Sequence, residues 1–139
     1  MPAGKRAVVD TNTIVSGILL PQSVPGKVLG FLAEPATLIF SAATRDELLD
    51  VIAREKFAPY VASEARERAA TILVRDGEMV TPRRSFRVCR DPKDDKFLDA
   101  AYAGKVDCII SGDDDLATLG TLESVPILAA ARYLAGNIH

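Results

Sequence analysis

The sequence has few of the side chains that serve most often as general bases, nucleophiles or zinc ligands. Its 139 residues include one histidine, His139, together with two cysteines and no tryptophan. Cys89 and Cys108 have neither a C-x-x-C spacing nor a nearby histidine. These absences argue against a zinc site, a Cys-His nucleophile and a histidine general base. We expect both cysteines to be small buried hydrophobic residues with free thiols.

The sequence also lacks an excess of charge of either sign and any long apolar run. Seventeen Lys and Arg residues against nineteen Asp and Glu residues give a net charge of −2, which does not indicate nucleic-acid binding. No apolar run approaches the roughly 18 residues of a membrane-spanning helix, and none near the start is long enough for a signal-peptide core. We therefore expect a cytoplasmic protein without a membrane partner, folded as one domain over residues 1–139.

Short apolar runs alternate with segments that have the apolar spacing of helices. The runs are residues 7–9, 37–40, 106–110 and 125–128, and few polar residues interrupt them. Such runs are typical of strands buried on both faces. Between them, apolar residues recur with helical spacing over 48–52, 65–73 and 97–102. This alternation predicts an α/β domain with a mainly parallel sheet; residues 80–88 form either a short strand or a loop.

Acidic residues lie at four predicted strand–helix edges. Asp10 ends the first apolar run, Glu47 follows the second, Asp94 opens the third helix and Asp113 follows the third run. Ligands of open parallel sheets bind beyond the carboxyl ends of the strands, so these carboxylates are expected to meet in one pocket. Capping is the simpler alternative, with Asp10 as a helix N-cap and Glu47 as the partner of Thr44 in a capping box.

The third predicted helix begins with a cluster of acids whose members point in different directions. Asp91 is the expected cap and Pro92 the first helical residue. At 100° per residue, Asp94 points along the apolar stripe and Asp95 lies at its border. A charge that faces the core requires compensation, so Asp94 needs a partner more than Asp95 does.

Three successive carboxylates, Asp113, Asp114 and Asp115, are too many for a single cap. Two like charges about 4 Å apart repel by ~4 kcal/mol at an effective dielectric constant of 20, so converging acids take up protons or hold a cation. Because no imidazole or thiolate joins the acids, the set favours Mg²⁺ or Mn²⁺. Pairs of such ions stabilise the attacking and leaving oxygens in phosphoryl transfer.

Four motifs in this order resemble the PIN-domain family, and within it the VapC-like toxins of toxin–antitoxin pairs. The motifs are Val8-Val9-Asp10-Thr11-Asn12, Asp46-Glu47-Leu48-Leu49, Arg90-Asp91-Pro92-Lys93-Asp94-Asp95-Lys96-Phe97-Leu98 and Ile110-Ser111-Gly112-Asp113-Asp114-Asp115-Leu116. The resemblance spans nearly the whole chain. It implies a three-layer α/β/α sandwich and a Mg²⁺- or Mn²⁺-dependent endoribonuclease, usually paired with a small antitoxin protein and often a homodimer.

The resemblance also implies the site residues, position by position. The catalytic, metal-binding acids are Asp10, Glu47, an acid of the Asp94-Asp95 pair and Asp113, with Asp115 as an auxiliary ligand and Asn12 and Ser111 as polar supports. The D-P-x-D opening of the third motif selects Asp94, whereas the spacing back from Asp113 in shorter toxins selects Asp95. We favour Asp94, because the helical wheel directs it inward.

Four arginines lie over residues 83–90, up to the start of the third motif. RNA binding would depend on local groups such as Arg83, Arg84, Arg87 and Arg90, which alternatively form a solvated loop. The mixed charges over residues 64–68 predict a solvated helix face. A phosphatase of the haloacid-dehalogenase type would use Asp10 as nucleophile, but Asn12 stands where that family has its general acid. A partner-binding domain without catalysis is the second rival.

Overall fold

Six strands form one sheet in the computed structural model, which describes residues 6–33 and 36–137. The strands are β1 (Arg6–Val9), β2 (Thr37–Phe40), β3 (Glu78–Met79), β4 (Cys108–Ile110), β5 (Thr121–Leu122) and β6 (Val125–Leu128). Their order across the sheet is β3-β2-β1-β4-β6-β5. Every neighbouring pair is parallel except β5 and β6. The predicted parallel sheet is confirmed.

Helices cover both faces of this sheet. The α-helices are α1 (Thr11–Leu19), α2 (Val24–Ala33), α3 (Ala42–Ile52), α4 (Ser63–Asp76), α5 (Asp95–Gly104), α6 (Asp114–Ala117) and α7 (Ala130–Asn137). Short 3-10 helices span Glu55–Phe57 and Pro92–Asp94. One buried core lies between the sheet and α1 to α4 and α7, and a second lies against α5 and α6. The chain therefore has the three-layer α/β/α fold.

The central strands contain continuous buried apolar runs because both of their faces are covered. In β1, Ala7 and Val9 belong to the first core and Val8 to the second. In β4, Ile110 belongs to the first core and Ile109 to the second. Successive side chains of a strand point to opposite faces, so two helical layers demand an uninterrupted apolar run.

The charged segment over residues 64–68 is not uniformly solvated. Arg66 is only 2% exposed, and its guanidinium donates to the carbonyl oxygens of Ile52 (2.7 Å), Arg54 (2.9 Å) and Val61 (2.8 Å). The prediction of a solvated face is therefore wrong at Arg66, because this side chain supplies donors to the carbonyl groups at the end of α3.

Within residues 6–33 and 36–137, no single helix has both the length and the apolar character needed to cross a membrane. Helices α1 and α2 meet that criterion only as a pair, over Thr11–Leu19 and Val24–Leu32, and they are bent by 102° at the break between them.

Candidate metal centre

Asp10 lies directly after β1, and both of its carboxylate oxygens accept hydrogen bonds. Oδ1 accepts the backbone N–H of Thr13 at 2.9 Å, which makes Asp10 the N-cap of α1. Oδ2 accepts the hydroxyl of Ser111 at 2.5 Å, so this contact joins the ends of β1 and β4. The predicted N-cap is confirmed. The same carboxylate also lines the two clefts at this edge of the sheet, so Asp10 can cap α1 and still face the candidate metal site.

Glu47 is not part of a capping box. The box that begins α3 joins Ser41 and Thr44, whose backbone N–H groups donate to each other's side-chain oxygens. The predicted pairing of Thr44 with Glu47 is therefore wrong, because α3 starts directly after Ser41 and places Glu47 in its second turn. There the Glu47 carboxylate accepts the hydroxyl of Thr11 and lies 2.7 Å from the ammonium of Lys96.

Three carboxylates converge where α5 and α6 begin. Asp94, Asp113 and Asp115 each offer an oxygen within 4.8 Å of the other two. Asp113 is the N-cap of α6, and its Oδ1 accepts the backbone N–H of Asp115 at 2.7 Å. Burial raises the pKa of Asp94 to about 6, with a further contribution from the negative charge of Asp113. The crowded acids thus disfavour ionisation of Asp94.

Asp95 lies outside this group of three acids. It is 8% exposed, and its Oδ1 accepts the backbone N–H groups of Val88 (3.2 Å) and Cys89 (3.0 Å). The expectation that Asp95 needs a partner less than Asp94 is wrong. The reason is that the 3-10 helix Pro92–Asp94 precedes α5, so α-helical geometry does not hold across the boundary between the two acids. The Asp95 carboxylate fixes the preceding loop.

Two clefts open at this edge of the sheet and share a wall formed by Asp10, Asn12 and Asp113. The larger cleft has a volume of about 700 Å³ and the smaller of about 240 Å³. Of the predicted acids, those lining the smaller cleft are Asp10, Glu47, Asp94 and Asp113, and Asp115 lines the larger one. The structure therefore brings these acids together, with Ser111 held beneath them through its contact with Asp10.

The arginines over residues 83–90 are dispersed. Arg90 lines the larger cleft, with its guanidinium 3.5 Å from the carboxylate of Asp115. Arg84 instead pairs with Glu123 at 2.8 Å and lines neither cleft. The other two are exposed and also lie outside the cleft walls: Arg83 and Arg87. Of the four, Arg90 alone adjoins the acids.

Sequence reasoning missed three basic residues at the smaller cleft. Arg54 and Lys93 line it, and Lys96 pairs with its Glu47. Lys96 did carry a signal, because it lies in the first turn of α5, where the helix dipole disfavours a cation unless an acid compensates it. The single histidine of the sequence, His139, lies outside the described residues.

The donor set fits a hard divalent cation. Among the described residues, the group within 4.8 Å consists of carboxylates, and neither free cysteine belongs to it. Mg²⁺ and Mn²⁺ prefer oxygen ligands. Burial, and after it the negative charge of Asp113, raises the pKa of Asp94, and a bound cation would offset the repulsion between these acids. The residues present therefore suit such an ion.

The acids lie where the strand order reverses, between β1 and β4, which is the usual ligand position of an open α/β sheet. The fold and the acidic cluster at this position together define a class of protein: an α/β/α protein whose cation site consists of oxygen ligands. Residues 6–115 match the PIN domain family, and the chain belongs to it. The chain is also 32% identical over 116 residues to the uncharacterized protein MJ1680 of Methanocaldococcus jannaschii. The matched region covers 82% of this chain and 74% of that protein. PIN domains are generally metal-dependent nucleases.

Proposed function

We propose that this protein is a Mg²⁺- or Mn²⁺-dependent endoribonuclease that hydrolyses RNA with a metal-activated water and leaves 5′-phosphate and 3′-hydroxyl ends. The observation that carries the proposal is the meeting of Asp10, Glu47, Asp94 and Asp113 at one cleft beyond the carboxyl ends of β1 and β4. When bound, a divalent ion supplies a Lewis acid that lowers the pKa of a water and neutralises phosphate charge.

The side chains of the acidic group divide the work of holding the ion and the water. Asp94, Asp113 and Asp115 are close enough to hold one cation together. Asp10 is fixed by Thr13 and Ser111, so its carboxylate keeps one orientation at the wall shared by the clefts. A carboxylate held in this way aligns a water without a change of rotamer, which lowers the entropic part of the barrier.

Basic residues on either side of the acids supply the contacts to RNA. Arg90 lines the larger cleft, and Arg54 and Lys93 line the smaller one. A strand that crosses the shared wall would place one neighbouring phosphate at each side. Asn12 on that wall can donate and accept hydrogen bonds, which suits a polar support for the sugar–phosphate backbone.

We also propose that the protein is the toxin of a toxin–antitoxin pair, bound by a small antitoxin protein and forming a homodimer. The four motifs that resemble VapC-like toxins support this proposal. Coexpression with the adjacent reading frame, followed by chromatography and light scattering, tests it. We expect a stable complex with a small partner protein and a mass that corresponds to a dimer. A monomer that does not bind the product of the adjacent reading frame would contradict both the antitoxin and the homodimer.

The nuclease proposal is tested with purified protein, a structured RNA and Mg²⁺ or Mn²⁺. We expect cleavage that EDTA abolishes and that Asp113→Asn reduces by roughly 100-fold or more. Asparagine caps helices as well as aspartate does, so this change preserves the start of α6. Asp114→Asn, which removes the same charge from the adjacent exposed residue, is the matched control and should cleave at nearly the wild-type rate.

Two outcomes would contradict the nuclease proposal. One is a folded Asp113→Asn protein that cleaves RNA as fast as the Asp114→Asn control. The other is the trapping of a covalent aspartyl-phosphate on Asp10, which would indicate a phosphatase of the haloacid-dehalogenase type instead.

A further inference from the structure

The ammonium group of Lys96 contacts the carboxylate of Glu47, which lines the smaller cleft. Its Nζ is 2.7 Å from Oε2 of Glu47 and also donates to the backbone carbonyl of Lys93. The two paired side chains are largely enclosed, at 19% exposure for Lys96 and 30% for Glu47. Oε1 of Glu47 accepts the hydroxyl of Thr11, so both oxygens of this carboxylate have partners.

Glu47 is paired with Lys96 and is not part of the group of three converging acids. The carboxylates within 4.8 Å of one another are those of Asp94, Asp113 and Asp115, and Glu47 is not among them. Glu47 nevertheless lines the same small cleft as Asp94 and Asp113. Its charge is already neutralised by Lys96, which extends from the first turn of α5 to the second turn of α3. A cation in that turn opposes the helix dipole, so the pairing with Glu47 compensates an unfavourable position.

We propose that Lys96 is a positioning residue that competes with a divalent cation for Glu47. The site then takes one ion at Asp94, Asp113 and Asp115, and takes a second ion through Glu47 only when Lys96 releases that carboxylate. This inference rests on the proposed metal-dependent function, and it concerns how many ions bind and in what order. Lys96 thereby limits the resting protein to one tightly bound ion.

The chain offers a matched control for the general effect of charge. Lys93 lines the same cleft, is exposed and carries the same charge three residues earlier. Among the ion pairs of the described residues, none involves Lys93. Loss of either lysine makes the site more negative, but only loss of Lys96 frees Glu47.

The experiment is a Mn²⁺ titration of the full chain, in which electron paramagnetic resonance of free Mn²⁺ counts the bound equivalents. We expect one tight equivalent in the wild type. Lys96→Met should bind a second equivalent at a Mn²⁺ concentration about tenfold lower than the wild type requires, as expected when a neutralising charge 2.7 Å from the carboxylate is removed. Lys93→Met should shift this concentration by less than about threefold, since surface charges are largely screened.

Two further variants test whether the tighter binding of a second Mn²⁺ results from loss of the ion pair between Lys96 and Glu47. Lys96→Arg retains the positive charge and should behave as the wild type does. Adding Glu47→Gln to Lys96→Met should remove the second equivalent while the first remains. Thermal unfolding of each variant identifies any that fail to fold, and Lys96→Gln then replaces Lys96→Met.

The outcomes separate this inference from the proposed function. Equal second-ion binding by Lys96→Met and Lys93→Met overturns the role of Lys96, and the proposed function stands if the wild type cleaves RNA only with Mn²⁺ or Mg²⁺. A wild-type protein that binds two tight equivalents also overturns it. A wild type that binds no Mn²⁺ overturns both.

Discussion

At Asp94, the fold works against ionisation of a carboxyl group. Burial raises its pKa from 3.8 to about 6, and the carboxylate of Asp113 adds to this effect. An acid whose pKa is higher in the folded than in the unfolded state binds its proton more tightly when folded. Stability therefore decreases as the pH rises between the two pKa values, in the absence of a metal ion.

Asp94→Asn should remove this pH-dependent loss of stability. Near pH 4, where Asp94 is largely protonated in the folded state, the metal-free variant and wild type should have similar free energies of unfolding. The variant should become the more stable of the two as the pH rises to about 6, and the difference should then level off. Urea unfolding in EDTA at several pH values measures this difference. A gap that is constant with pH, or that favours the wild type at pH 7, would contradict the prediction.

Asp94 and Asp95 should respond differently to the same substitution. Asp95 accepts the N–H groups of Val88 and Cys89, and an asparagine oxygen can accept them too. We therefore expect Asp95→Asn to leave the Mn²⁺ affinity within about twofold, whereas Asp94→Asn lowers it by about tenfold or more. Calorimetric titration measures both. Equal losses in the two variants would show that Asp95 also holds the ion.

Residue types and their order were sufficient to predict that Asp10 and Asp113 lie at the same edge of the sheet. Asp10 and Asp113 follow neighbouring parallel strands, so topology alone brings them together. The difference between Asp94 and Asp95 could not be predicted in the same way, because it depends on a 3-10 turn that the helical wheel does not represent. The partners of Glu47 were missed because Thr11 and Lys96 are distant in sequence.

At the scale of elements, Arg66 links α4 to the end of α3. The guanidinium donates to the carbonyl of Ile52, the last residue of α3, and to that of Arg54, which also accepts the backbone N–H of Phe57. Its positive charge suits the negative end of the helix dipole of α3. The same group also holds Val61, which lies between the two helices. The two helices are thus fixed relative to each other by one buried side chain.

Arg66→Met should destabilise the protein by about 3 kcal/mol, because methionine fills most of the space but removes the donors to the carbonyls of Ile52 and Val61. Arg68→Met, an exposed position on the same helix, should change stability by less than about 0.5 kcal/mol. The midpoint and slope of urea unfolding give both values. A loss at Arg66 no larger than that at Arg68 would show that the buried hydrogen bonds contribute little.

The elements differ in how far the sequence predicted them. The central strands were predictable because burial on both faces requires a continuous apolar run. Strand β5 has two residues and helix α2 has Pro25 in its first turn, so neither gives a periodic signal. Charge pattern identified α4 as amphipathic but could not show that Arg66 meets a helix end more than ten residues earlier.

At the scale of the whole molecule, charge gives no general attraction for RNA. The net charge is −2, and the acids of the site add local negative potential. Among residues 6–33 and 36–137, three basic residues line the clefts, namely Arg54, Lys93 and Arg90. Binding that depends on so few cations should respond to salt much more weakly than binding by a protein with an extended basic surface.

The salt dependence of RNA binding measures how many phosphates the molecule contacts. With three cations and a slope of about 0.7 per contact on single strands, log K should fall against log salt with a slope of about −2. Cleavage-deficient Asp113→Asn protein at constant Mg²⁺ allows this measurement by fluorescence anisotropy. Arg90→Ala should reduce the slope by about 0.7, whereas Arg87→Ala, an exposed residue outside both clefts, should leave it unchanged. Equal reductions by the two variants would mean that RNA follows the loop over residues 83–90 rather than the clefts beside the acids.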